Sequence, residues 1–102
     1  MGLEVTKNIE KINDHLKALQ KEYKVKTIGI FGSVARDTQT KKSDVDVLIE
    51  FSQPLGFFKF IELENFLSGV LKKKVDLVSK NALKESIKDQ VLKEVVYAGK
   101  KK

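Results

Sequence analysis

The chain has 102 residues, 41% of them hydrophobic, which is enough for one compact domain with a modest core and too little for two. It carries a formal net charge of +6 and no cysteine, which excludes disulfides and thiolate metal sites and is compatible with the cytosol. No apolar run approaches the ~20 residues of a membrane span. The N-terminus, MGLEVTKNIEK, lacks the apolar region of a secretory signal, and Gly2 with Thr6 matches a myristoylation pattern only loosely. These features predict a cytoplasmic protein without a membrane association. The charge reads most simply as a solvated Lys-rich surface, or else as attraction to a nucleotide, a nucleic acid or an acidic partner. Aromatic residues do not alternate with the basic ones, so direct nucleic-acid binding is not expected. Residues 1–99 are expected to form the single domain, with Lys100–Lys102 a frayed basic tail.

Val5, Ile9, Ile12, Leu16, Leu19 and Tyr23 recur at spacings of four and three, the apolar stripe of a helix over about Leu3–Glu22. His15 borders that stripe, and with no second histidine in the chain it reads as a boundary residue rather than a ligand. A first strand follows over Thr27–Phe31. Gly29 weakens it and so marks a close backbone contact. Gly32-Ser33 closes the strand, Val34-Ala35-Arg36 suits a helical turn, and Asp37–Lys42 is a polar loop. Val45–Phe51 is the second strand, with Asp44, Asp46, Leu48 and Glu50 on one face and Val45, Val47, Ile49 and Phe51 on the other. Phe57, Phe58 and Phe60 open a helix predicted to run to Ser68, capped by Gly69. The Phe cluster reads as core, or as a surface for a partner. Lys74–Val78 is a third short strand, and Asn81 is a suitable N-cap for a last helix striped by Leu83, Ile87, Val91 and Val95 and ending near Tyr97. Helix, strand, short helix, strand, helix, strand, helix, without repeats or a linker, predicts one α/β layer structure.

The chemistry concentrates between Gly32 and Phe51. Ten residues separate Ser33 from Asp44, and Asp44 and Asp46 share one face of an otherwise apolar strand. Two such carboxylates are costly to keep ionised together, and a bound cation relieves that cost. Hard oxygen ligands suit Mg²⁺, which takes substrate phosphates as further ligands. Gly32 permits a close approach to phosphate, with turn amides and the Ser33 hydroxyl as donors. Arg36 could neutralise phosphate or pair with a carboxylate, and Ser43 could orient an aspartate. Asp76 stands alone in a strand expected to be buried, where an unpaired charge is expensive, so it reads either as part of the metal site or as a salt-bridge partner of Lys74. Glu50 lies ~13 Å along the strand from Asp46 and reads as solvent-facing. Each element alone also has a plain reading as turn or surface chemistry; the joint pattern favours a metal–nucleotide site.

Gly-Ser, ten residues and Asp-x-Asp, set within GSVAR and SDVDVLIEF, resembles the nucleotidyltransferase superfamily related to DNA polymerase β, in its minimal nucleotidyltransferase branch. The resemblance covers nearly the whole chain, through LKEVVYA. It implies a small mixed β-sheet flanked by helices, the polymerase β-like nucleotidyltransferase fold. It implies that Asp44 and Asp46 are the catalytic metal-binding pair and Asp76 the third carboxylate, which helps hold the catalytic metal and takes the proton of the attacking hydroxyl. Gly32 and Ser33 match the phosphate-gripping pair. Two Mg²⁺ ions about 4 Å apart and ATP as nucleotide donor are the implied cofactors. Many relatives carry glycine where Asp37 stands; if that position needs a positive φ, aspartate is among the less penalised replacements.

The branch is known mostly as the antitoxin partner of HEPN-domain toxins. The resemblance therefore implies an antitoxin that transfers AMP from ATP to a hydroxyl of a cognate HEPN toxin, an RNase, on a tyrosine. AMP attached near an RNase site adds charge and bulk and blocks RNA. Larger relatives hold tRNA, antibiotics or a primer in extra domains, and this sequence is expected to borrow its acceptor from a partner. One alternative is an antitoxin that neutralises by binding alone, against which the intact Gly-Ser and three aspartates argue. The other is a transferase for a small molecule such as an aminoglycoside, against which the missing substrate domain argues.

Overall fold

The computed structural model describes residues 2–99, so the expected basic tail lies outside the described residues. The elements are α1 (Leu3–Asp14), α2 (Leu16–Tyr23), β1 (Val25–Phe31), α3 (Gly32–Arg36), β2 (Val45–Phe51), α4 (Phe57–Leu71), β3 (Val75–Ser79), a 3₁₀ turn (Lys80–Ala82), α5 (Glu85–Glu94) and β4 (Val96–Tyr97). The strands form one mixed sheet in the order β3-β2-β1-β4. β1 is antiparallel to both β2 and β4, whereas β2 and β3 run parallel, which requires a crossover that α4 supplies. The small mixed sheet with flanking helices is the architecture that the motif resemblance implied.

The two sheet faces differ. Ile28, Ile30, Val45, Val47, Ile49, Val75 and Leu77 share one face and pack with Val5, Ile12, Leu19, Leu63, Leu67 and Leu71 of α1, α2 and α4 into one core. The other face carries Phe31, Asp46 and Asp76 side by side in register. A pleated strand alternates its side chains, so burying the valines necessarily turns the aspartates away from the core.

Four boundaries differ from the sequence reading. The first helix breaks at His15, whose amide bonds to Ile12 O at 3.0 Å, a tight last turn, before Leu19 N bonds to His15 O at 3.0 Å and the helix restarts. The stripe survives the break because Val5, Ile12 and Leu19 all remain fully buried. His15 sets its ring edge-on against Phe66 at 5.5 Å, a boundary contact as expected. α4 runs through Gly69 to Leu71 and caps at Lys72 in the left-handed conformation (φ 55). Burying Leu71 outweighs the roughly 1 kcal/mol that a glycine costs inside a helix. Asn81 does not cap α5; it lies in the 3₁₀ turn, and α5 starts at Glu85 after Lys84. Finally, Val95 leaves the helix, and the β-branched and aromatic pair Val96-Tyr97 adds a fourth strand to the open edge of β1.

Gly29 is where that last strand meets the sheet. A Cβ there would sit 2.8 Å from Val96 O and 2.8 Å from Val95 Cγ2, which is the close backbone contact its position predicted. Gly29→Ala is expected to destabilise the fold by about 1–3 kcal/mol, because backbone and a branched side chain must both shift; urea unfolding measures it. A second expectation concerns Tyr23, whose hydroxyl donates to Glu62 Oε2 at 2.9 Å. Burial, then the hydrogen bond to Glu62 and the nearby charges of Glu62 and Glu22, hold the phenol above its ordinary value of 10.0. A raised folded value means that the stability it contributes is complete below the unfolded value and is lost as pH rises through the folded one. Unfolding free energies followed from about pH 8 to about pH 11 should therefore decline, and Tyr23→Phe should flatten that decline.

Candidate active site

β1 ends at Phe31 and turns at once into α3, whose first residue, Gly32, has φ +76. A side chain is excluded there twice. The left-handed backbone disfavours a Cβ, and a Cβ would run into the Asp46 carboxylate on the neighbouring strand. Gly32 thus brings the turn against Asp46. The short helix closes at Asp37, which adopts φ 61 and donates its amide to Ser33 O and Val34 O. This is the positive φ expected where relatives carry glycine, and aspartate tolerates it better than most residues. Thr38 N also bonds to Ser33 O at 2.9 Å, so the loop folds back over the Gly-Ser turn.

Asp46 and Asp76 are direct partners in the parallel β2–β3 register, and Phe31 pairs with Asp46 across β1–β2. Asp44 immediately precedes β2. Burial, then the charge of Asp76, then that of Asp44 push Asp46 above the ordinary carboxylate range, with Arg36 opposing and Glu94 adding to the shift. Asp76 itself is exposed. β3 is buried on its core face alone, so the charge has no burial cost and no need of Lys74, contrary to the sequence argument. Among the described residues no three His, Cys, Asp or Glu side chains converge into a ready metal-binding group. The register sets the aspartates side by side, and like charges have no reason to point at a common centre without a cation between them. The donor set nevertheless fits a hard divalent cation: carboxylate oxygens only, crowded enough that Asp46 is pushed towards protonation.

A cleft of about 520 Å³ opens on this face, running from Phe31, Asp46 and Asp76 to Leu83, Lys84 and Ile87. One wall is anionic and the other largely apolar, a volume and lining suited to a nucleotide-sized ligand. Leu83 and Ile87 are therefore not the core stripe that their spacing suggested; Ile87 is 44% exposed and faces the cleft. Helical spacing identifies an apolar face but not what that face looks onto.

The remaining candidates divide. Ser33 sits half-buried in the turn beside Gly32. Ser43 does not orient an aspartate: its Oγ accepts the Thr40 amide at 2.9 Å and ties the polar loop to itself. Glu50 is not simply solvated, since it accepts a hydrogen bond from Thr27 Oγ1 at 3.3 Å and lies 3.9 Å from both Lys26 and Lys80. Arg36 takes the carboxylate option, with Nη1 donating to Glu94 Oε1 at 3.0 Å and Oε2 at 3.1 Å. Glu94 also accepts the Gly32 amide at 2.7 Å. Nothing in the sequence marks Glu94, which reads as an ordinary polar residue of the last helix.

Residues 10–98 match the model of the nucleotidyltransferase domain family. The chain is 43% identical over 98 residues to the protein adenylyltransferase MntA of Thermococcus cleftensis, covering 95% of this chain and 99% of that protein. Among solved structures, a candidate minimal nucleotidyltransferase superposes with a TM-score of 0.74 at 28% identity, over 88% of this chain and 92% of the other. A toxin–antitoxin structure with AMP-PNP gives a TM-score of 0.71 at 28% identity, over 88% of this chain and 71% of that one. A Gly-Ser turn pressed against one of two register-paired aspartates, in this sheet and with these relatives, places the chain in the nucleotidyltransferase domain family, among its minimal nucleotidyltransferases.

Proposed function

We propose that the protein is an antitoxin that transfers AMP from ATP, with Mg²⁺, to a tyrosine hydroxyl of a cognate HEPN-domain toxin in the cytoplasm. The observation that carries this reading is the pairing of Asp46 with Asp76 beside the Gly32 turn, on the sheet face that the core leaves open. It is supported by the adenylyltransferase relative and by the likeness to a toxin–antitoxin structure with AMP-PNP.

The residues divide the work as follows. Gly32, Ser33 and Arg36 hold the phosphates, and the apolar wall of the cleft at Leu83 and Ile87 receives the nucleoside. Asp44, Asp46 and Asp76 would hold Mg²⁺, which when bound supplies neutralisation of the phosphate charge. The acceptor hydroxyl oxygen forms a bond to the α-phosphorus as the bond from that phosphorus to the bridging oxygen breaks. Pyrophosphate leaves, and Asp76, exposed at the mouth of the cleft, takes the hydroxyl proton. Little covalent chemistry falls to the protein; positioning and charge neutralisation carry the rate.

The test is intact mass spectrometry of the co-expressed partner toxin after incubation with ATP and Mg²⁺. The expected result is a gain of one or more AMP masses. The rate should drop at least about 100-fold in an Asp44→Ala, Asp46→Ala double variant, and to background with EDTA, returning when Mg²⁺ is restored. No gain, with the double variant still binding and silencing the toxin, would establish neutralisation by binding in its place. A gain on an aminoglycoside and not on the toxin would establish a small-molecule transferase.

A further inference from the structure

One side chain from the far end of the sequence holds both the Gly32 amide and the Arg36 guanidinium. Glu94 Oε2 accepts the Gly32 amide at 2.7 Å, and its two oxygens accept Arg36 Nη1 at 3.0 and 3.1 Å. Glu94 is the buried end of the pair, its side chain 14% exposed, while that of Arg36 is 45% exposed. The placement of Glu94 is otherwise unfavourable. It is the last residue of α5, where a negative charge opposes the helix dipole, and its charge adds to the crowding around Asp46. Gly29 makes the placement possible, because only without a Cβ there can Val95 and Val96 cross β1 so closely and leave Glu94 over the turn.

We infer that Glu94 is a positioning residue of the nucleotide site: it fixes the Gly32 turn and fastens Arg36 through Nη1 alone, leaving Nε and Nη2 of the guanidinium for the phosphates. The inference rests on the nucleotidyltransferase reading above. A guanidinium has five N–H donors in a rigid fork, so one edge can be anchored while another binds. Without the carboxylate, Arg36 becomes a mobile surface side chain that must be ordered whenever ATP binds, and the buried Gly32 amide loses its acceptor.

The experiment compares wild type with Glu94→Ala, Glu94→Gln, Arg36→Ala and the Glu94→Ala, Arg36→Ala double variant. KM for ATP and kcat are measured well below each melting temperature, with ATP affinity measured by calorimetry in the absence of acceptor. Glu94→Ala is expected to raise KM and Kd for ATP about tenfold with a smaller change in kcat. Glu94→Gln, which keeps an acceptor for the Gly32 amide and loses the ion pair, should fall between. The effects in the double variant should be clearly less than additive, since the two residues share the Arg36–Glu94 contact, with only the loss of the Gly32 anchor added to that of Arg36. Amide hydrogen exchange at Gly32 should accelerate in Glu94→Ala and stay near wild type in Glu94→Gln. A lowered melting temperature with unchanged ATP affinity, additive effects in the double variant, or unchanged exchange at Gly32 each overturn the inference. If wild type binds ATP yet transfers no AMP, the nucleotidyltransferase reading fails, while the affinities and the exchange still decide the role of Glu94. If Glu94→Ala does not fold, Glu94→Gln carries the comparison.

Discussion

The parallel register between β2 and β3 is the constraint on which the active face depends. It sets Asp46 directly beside Asp76. Like charges directly opposite one another in a sheet are destabilising, and burial makes Asp46 costlier still to ionise. The opposite face holds the pair in place. Val45, Val47, Val75 and Leu77 on the same two strands are buried against α4 and its neighbours, and a slip of one residue would expose them all. The apolar core thus enforces a charge arrangement that the strands alone would avoid. Local rules broken in this way mark a candidate functional site.

The turn at Gly32 makes the second half of the site from the same logic. Asp46 can stand against the turn because Gly32 has no side chain, and the turn keeps its shape because Asp37 accepts a left-handed conformation at the other end of α3. These five residues are too short a helix to persist alone. They are held by the loop bonding back to Ser33 and by Glu94 reaching in from α5. The aspartates and the Gly32 turn are therefore built by neighbouring elements in contact, not by one flexible loop.

Much of this was legible in the sequence because it is local or periodic. Alternation placed Asp46 on the face opposite Val45 and Val47, and the Gly-Ser pair located the turn. Gly29 announced its close contact, and Asp37 its positive φ. What was missed depends on which parts of the chain meet. Leu71 gave no terminal signal stronger than Gly69, yet the helix runs on because the core has room for it. Val96-Tyr97 reads as the end of a helical stripe until an open edge of β1 is available to pair with it. Leu83 and Ile87 look like core positions until the 3₁₀ turn moves α5 off the predicted start. Glu94 lies 62 residues from Gly32, and nothing in either neighbourhood links them.

That separation has a consequence for how the site is assembled during folding. The aspartates come from β2, the residue before it and β3, but the grip on Gly32 and Arg36 comes from the last helix and is fixed by the last strand crossing Gly29. β4 has two residues and two register partners, so it is the least secured strand of the sheet. Ala98 N bonding to Ile28 O at 2.8 Å and Gly99 N to Asn13 Oδ1 at 2.6 Å extend its hold onto β1 and α1. The ordering of the Gly32 turn is therefore tied to the docking of the C-terminal segment. The carboxylate pair, fixed by the core, does not share that dependence.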